Sequence, residues 1–192
     1  MRERGQLVSD VDNRMSVSRK HGHEARMEGK PMVEWIRRVF IRELTALARQ
    51  VEAYVEDDDL WKPVPGIINT GGTLVLHLAG NLQYFIGAQL GGTGYIRDRE
   101  AEFSVRGLGR SDLLAAVEET RRAVETGLAN VTDESLGEIY PIAVGDTRLA
   151  VGQLLCHLVS HFAYHLGQID YHRRVVTGQG SLPGMLSARA LE

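Results

Sequence analysis

"HLVSHFAYHLGQIDYH", residues 157–172, carries four of the chain's seven histidines, separated by four, four and seven residues. At about 100° per residue, His161 and His165 lie about 40° apart on one helix, so both imidazoles reach a single point from successive turns. His157 and His172 fall near the same stripe, whereas Cys156 and Asp170 point away from it. The helix is expected to start from a cap at Asp146 or Thr147 and to continue to about Val176, just before Gly178. The fold question then becomes what packs against it.

Working back from this helix, Val33, Ile36, Phe40, Leu44, Leu47, Val51 and Tyr54 recur at intervals of three and four, the mark of a first helix with one buried stripe. "EDDDLWKPVPG" at 56–66 ends it, because acidic residues are poorly placed at a helix C-terminus and two prolines exclude continuation. A second helix is expected from about Thr73 to Leu90, stopped by "GGTG". Residues 91–110 read as a long charged connection. Ser111 then offers a cap for a third helix over 112–129, with Leu113, Val117, Val124 and Leu128 on its apolar face and Glu118, Glu119, Arg121 and Arg122 outside it. Residues 130–147 suggest a turn or a short strand pair. Four helices without an internal repeat predict an all-α chain, an antiparallel or mixed four-helix bundle whose long second connection permits a crossover between parallel neighbours.

The length of 192 residues suits one domain with a sizeable core, and 43% apolar with 24% charged residues is ordinary globular usage. A net charge of −3 gives no broad cationic surface, so no nucleic-acid partner is expected. The pairs Arg37-Arg38, Arg121-Arg122 and Arg173-Arg174 read as solvated helix faces. Cys156 is the sole cysteine; it cannot form an internal disulfide, which suits a reducing compartment, and it reads as small core filler. No apolar run is long enough to cross a bilayer, and the first thirty residues lack the apolar segment of a secretory signal. A cytoplasmic location without a membrane partner is the expectation. The chain divides into an N-terminal tail, 1–31, expected to be mobile, a bundle at 32–177 and a C-terminal extension at 178–192. His21 and His23 in the tail read as solvated polar residues, and the tail or the final Leu191-Glu192 could be an upstream extension or cloning remnant.

Two imidazoles leave a divalent cation under-coordinated. His77 is the only other histidine within a predicted helix, set among Leu74, Leu76, Leu78 and Phe85. A buried, unpaired imidazole is costly, and a metal satisfies its lone pair. Each of the three taken alone could be a core or surface histidine; the set points to one metal. Phe162 stands where a metalloprotease carries its glutamate base, and the Glu-x-x-His pairs of di-iron bundles are absent. Cys156 and His157, as adjacent helical residues, point apart and form no nucleophilic pair.

"LHLAGNLQYFIGAQLGGTGYIRDREAEF" at 76–103 and "LLCHLVSHFAYHLGQIDYHRR" at 154–174, with a His-x-x-x-His-x-Gly-Gln element at 161–168, resemble the DinB-like superfamily of metal-binding four-helix bundles, in particular its uncharacterised branch. The resemblance covers residues 32–176. It implies an up-down-down-up bundle, frequent homodimers and a three-histidine site at His77, His161 and His165, with His157 and His172 outside it as supporting or surface groups. Three imidazoles leave a position open for water or substrate, and they suit zinc or nickel, as well as iron and copper. Some members of the superfamily transfer or isomerise small-molecule substrates with low-molecular-weight thiols, which a metal activates by favouring the thiolate. A hydrolase using metal-activated water is the alternative, but Asn81, Tyr84 and Gln168, near the site by helical geometry, are weak bases. A third reading is a non-catalytic metal-binding or stress protein. Arg97, Arg99, Glu102 and Arg106 read as loop or interface ion pairs, with anion binding by the arginines as the alternative. Tyr164 and Gln168 either position a substrate or pack against the second helix.

Overall fold

The computed structural model describes residues 31–192, and within them every regular element is helical. The first helix, α1, runs Met32–Glu52, and its expected stripe is buried except for half-buried Ile36. Its free N-terminal amides are capped from a distance: the Asp133 carboxylate accepts the N–H groups of Met32 and Val33, at 2.8 and 3.0 Å. The acidic run after α1 does end it, and then folds into a 3₁₀ turn, Asp57–Trp61, that buries Leu60.

The second helix, α2, runs Gly71–Leu82 and starts two residues earlier than expected, because Thr70 accepts the N–H of Thr73. A π-helical segment, Gln83–Ala88, continues it. The widened turn frees the Phe85 carbonyl, which accepts the Tyr140 hydroxyl at 2.6 Å. Here the chain lies hard against its neighbour: a Cβ at Gly127 would collide with the Ile86 carbonyl.

Residues 91–110 are not a plain connection. They contain a short helix, α3, at Arg99–Ser104, whose first turn is capped by Asp98 accepting the Ala101 N–H. The next helix, α4, runs Arg110–Ala129, and Ser111 is not its cap. The helix starts from Gly109 instead, whose N–H goes to Asp112, while Asp57 accepts the N–H of Arg110 at 3.0 Å. The last helix, α5, runs Val151–Thr177 from Ala150, whose N–H is taken by Gln153. Asp146 and Thr147, the expected caps, sit instead in a tight turn bridging Val144 to Thr147, with Gly145 at φ 59°. Gly178, left-handed at φ 71°, closes α5 as expected. The segment before α5 holds a 3₁₀ turn, Glu134–Gly137, and isolated bridges rather than a strand pair.

Helix α1 packs on α4 and α5, α2 packs on the same two, and α3 lies on α2. Their directions follow from the contacts at their ends. Gln50 and Tyr54, at the end of α1, bond Asp170 and His172, near the end of α5. Arg110, opening α4, donates to the carbonyls of Tyr54 and Val55. Gly71, opening α2, lies against Tyr54 and His172. Phe40, Leu44, Leu78, Ile86, Leu113, Val124, Leu155 and Phe162 fill the shared core. Cys156 is not core filler: it is exposed on α5. Residues 178–192 return over α1, where Arg49 donates to the Pro183 carbonyl. Of the expected tail at residues 1–31, residues 1–30, with His21 and His23, lie outside the described residues, and Pro31 is the N-cap of α1.

Candidate metal centre

Helix α2, in which 11 of 12 residues are buried, carries His77 about two turns from its start, and α5 brings His161 and His165 to the same level. One nitrogen from each of the three imidazoles lies within 4.8 Å of the others, a group that could hold a metal ion. Nε2 of His77 and Nε2 of His161 are 3.3 Å apart. Two nitrogens at about 2.1 Å from a tetrahedral ion stand about 3.4 Å apart, so that spacing fits a shared cation. The rings of His161 and His165 meet edge-on with centroids 4.6 Å apart, and that of His77 lies 5.2 Å from each.

Hydrogen bonds on the outer nitrogens decide which lone pairs are free. His77 Nδ1 stands 2.9 Å from the Glu102 carboxylate, an acceptor only, so Nδ1 carries the proton and Nε2 is bare. His165 Nδ1 donates to the Gln168 amide oxygen at 2.7 Å, which likewise bares its Nε2. Nδ1 of His161 is buried with no partner. Without a cation, Nδ1 of His161 is unpaired in either tautomer, and when it carries the proton a second fault is added: two Nε2 lone pairs face each other across the His161–His77 contact. A cation bound by the Nε2 atoms removes the second fault. The residues present therefore fit a metal.

Electrostatics favour the neutral, ligating form of His161 and His165. Burial, followed by the neighbouring His165 and His77, pushes the His161 imidazole down to about 4. Burial also lowers His165, with the Gln168 bond opposing. Glu102 is 5% exposed, and burial alone would raise its carboxyl; bonds from His77 and Arg97 outweigh this and hold it low.

Glu102 is the functional residue that sequence reasoning assigned differently. It forms the expected loop ion pair, with Arg97 Nε at 2.6 Å and Nη2 at 2.9 Å, but its second task is to orient His77. Its signal in sequence is faint: an acidic first turn after Asp98 in a six-residue helix. Phe103, one residue on, places its ring 4.9 Å from that of His77. Arg99 and Arg106 stack on Phe103 and Trp61.

The other expected neighbours separate. His157 is exposed, its ring 6.1 Å from that of His161. His172 is neither a surface group nor a support for the cluster. It is fully buried, donating from Nε2 to the Lys62 carbonyl at 2.9 Å and accepting the Tyr54 hydroxyl at Nδ1 at 2.8 Å. Asn81 is buried one turn beyond His77 with its amide oxygen unpaired. Tyr84 packs on Phe85. Tyr164 is 64% exposed and edge-on to His165 rather than packed into the core.

No curated protein and no solved structure matches the chain. Residues 28–181 match the family described as a protein of unknown function, DUF1572. The chain belongs to that family, and the matched span includes α1 to α5 and all three clustered histidines.

Proposed function

We propose that this chain is a divalent-metal-binding protein of the DinB-like kind that works as a metal-dependent transferase, using a low-molecular-weight thiol on a small-molecule substrate. His77, His161 and His165 are the ligands in this reading, and zinc or nickel is the cation. The observation that carries it is the convergence of three imidazole nitrogens within 4.8 Å, two of them bared by Glu102 and Gln168 on the far side of their rings. The helix-end contacts support an up-down-down-up four-helix bundle of α1, α2, α4 and α5, with α3 in the crossover. Assembly as a cytoplasmic homodimer belongs to the same reading; in keeping with it, no helix among the described residues is long and apolar enough to cross a membrane.

His77, His161 and His165 would hold the cation, which when bound would supply stabilisation of the thiolate form of a thiol substrate. The chain's own part is to hold the ligand set still. Glu102, locked by Arg97, keeps the His77 proton on Nδ1, and Gln168 does the same for His165. Burial keeps His161 neutral near pH 7. Thiol transfer is favoured over hydrolysis because Glu102, the carboxylate that bonds His77, has both oxygens engaged by His77 and Arg97 rather than free to act as a base.

Elemental analysis of the purified chain is expected to give about one ion per chain, lost in His77→Ala, His161→Ala and His165→Ala. Retention of the ion after any two of these changes would sink the reading. The metal-loaded chain is expected to accelerate loss of a thiol in the presence of an electrophile, and not to hydrolyse simple esters. Metal binding without either activity would leave the non-catalytic alternative.

A further inference from the structure

A pocket of about 330 Å³ opens one turn from the histidine cluster. Its walls are Ile67 and Ile68 from the turn before α2, Leu74 from α2, and Gln168 and Tyr171 from α5, with Asn69 at the rim. Gln168 joins the two sites, since its oxygen holds His165 while its side chain lines the pocket. Leu74 stands one turn before His77 on the same helix.

Two features give the pocket a chemistry. Its apolar side chains are unusually open to water: Ile68 is 95% exposed, Tyr171 64% and Ile67 40%. A turn built on left-handed Gly66 and a Val64 to Ile67 bridge holds Ile67 and Ile68 there, while Tyr171 stands on α5. No lining residue is charged. Arg174, which lies over the Tyr171 ring at 4.9 Å, is paired with Asp170, so among the described residues the lining itself offers no charge to meet a carboxylate or an ammonium. The polar side chains that line it are Asn69, Gln168 and Tyr171. With the Gln168 oxygen committed to His165, its NH₂ is left as a donor.

The other large cavities do not share these properties. One of about 530 Å³ between α1 and α4 is lined by Glu34, Arg37, Glu125 and Asp133 and includes neither Glu102 nor Gln168, the residues that bond the clustered histidines. One of about 340 Å³ is lined by Glu119 and Arg122. One of about 290 Å³ behind Glu102 is lined by Asp98 and Glu119.

We infer that the Ile67–Ile68–Leu74–Tyr171 pocket receives the uncharged, apolar body of the substrate, and that the Gln168 amide donates a hydrogen bond to an acceptor oxygen such as a carbonyl. This rests on the proposed metal site and narrows it: the pocket takes the neutral electrophile, not a thiol bearing carboxylates. An ionised group entering it would lose hydration without gaining a partner. The volume suits a compound of modest size.

Benzamide and benzoate share a ring and differ in charge, and they test the inference as probes of the full chain by amide-resolved NMR. In the metal-free protein, where a carboxylate has no cation to coordinate, benzamide is expected to shift Ile67, Ile68, Asn69, Tyr171 and the Gln168 side-chain amide saturably, with benzoate at least tenfold weaker. Ile68→Asp, on an exposed turn, is expected to weaken benzamide at least tenfold without changing metal content; Gln168→Leu is expected to weaken it about fivefold. Equal affinity for the two probes, shifts elsewhere, or no effect of Ile68→Asp overturns the inference. Because metal content is read separately, loss of the metal reading with benzamide still bound in the pocket is distinguishable from failure of the pocket itself.

Discussion

His161 and His165 share a stripe of α5 with His172, yet the two ends of that stripe have opposite characters. At His172 both ring nitrogens have protein partners, the Tyr54 hydroxyl and the Lys62 carbonyl, and the ring is fully buried. At the cluster, bare nitrogens from α2 and α5 face one another, and Nδ1 of His161 has no partner. An imidazole whose two nitrogens are matched ties elements together. One whose inner nitrogen is unmatched, among others like it, is prepared for a ligand that the protein does not itself supply.

The sharpest break of that contrast exchanges the two losses. His161→Ala is expected to weaken metal binding more than ~100-fold, exceeding the usual effect of a supporting residue, while changing stability of the metal-free chain by less than about 1 kcal/mol. Chelator competition and urea unfolding measure the two. His172→Ala should do the reverse: about 2–4 kcal/mol of stability lost in urea, because a cavity opens and the Tyr54 hydroxyl and Lys62 carbonyl lose their partner, with metal content unchanged. Equal metal loss in both variants would erase the distinction.

Glu102→Gln sharpens it further. The amide keeps the shape but not the charge that holds the His77 Nδ1 proton, and metal affinity is expected to fall about 10- to 100-fold by the same competition assay.

Acid acts on both histidine environments in one direction. Burial lowers His161 to about 4 and also lowers His172, so the unfolded chain, with imidazoles near 6.5, binds more protons than the folded one. Stability of the metal-free protein is therefore expected to be highest above about pH 6.5 and to decline towards pH 4, as read from urea midpoints. Added metal should steepen the decline, since protons compete for the same nitrogens. The smallest effect is expected at Cys156: being exposed, its change to Ser should alter stability by no more than about 0.5 kcal/mol and leave metal content unchanged.

Much of this was legible in the residues. The stripe on α1, the apolar face of α4 and the glycine stop of α5 were readable because burial imposes a period of 3.6 and a left-handed stop favours glycine. Two of the helix caps were not, because they came from elsewhere in the chain. Asp133 serves α1 from about a hundred residues away, and Asp57 meets the first turn of α4. Cys156 misled because the helical wheel shows which residues share a side of α5 but not which flank is covered.

The sequence by itself determined an all-helical fold, its principal helices and two histidines, His161 and His165, at a spacing that could share a ligand, since these follow from periodicity within single segments. Only the tertiary structure decided that Glu102 orients His77, that His172 binds Tyr54 and Lys62, and that Gln168 joins the cluster to an uncharged pocket. Those roles depend on which nitrogen meets which partner across packed elements, and long-range partners leave no period in the chain that carries them.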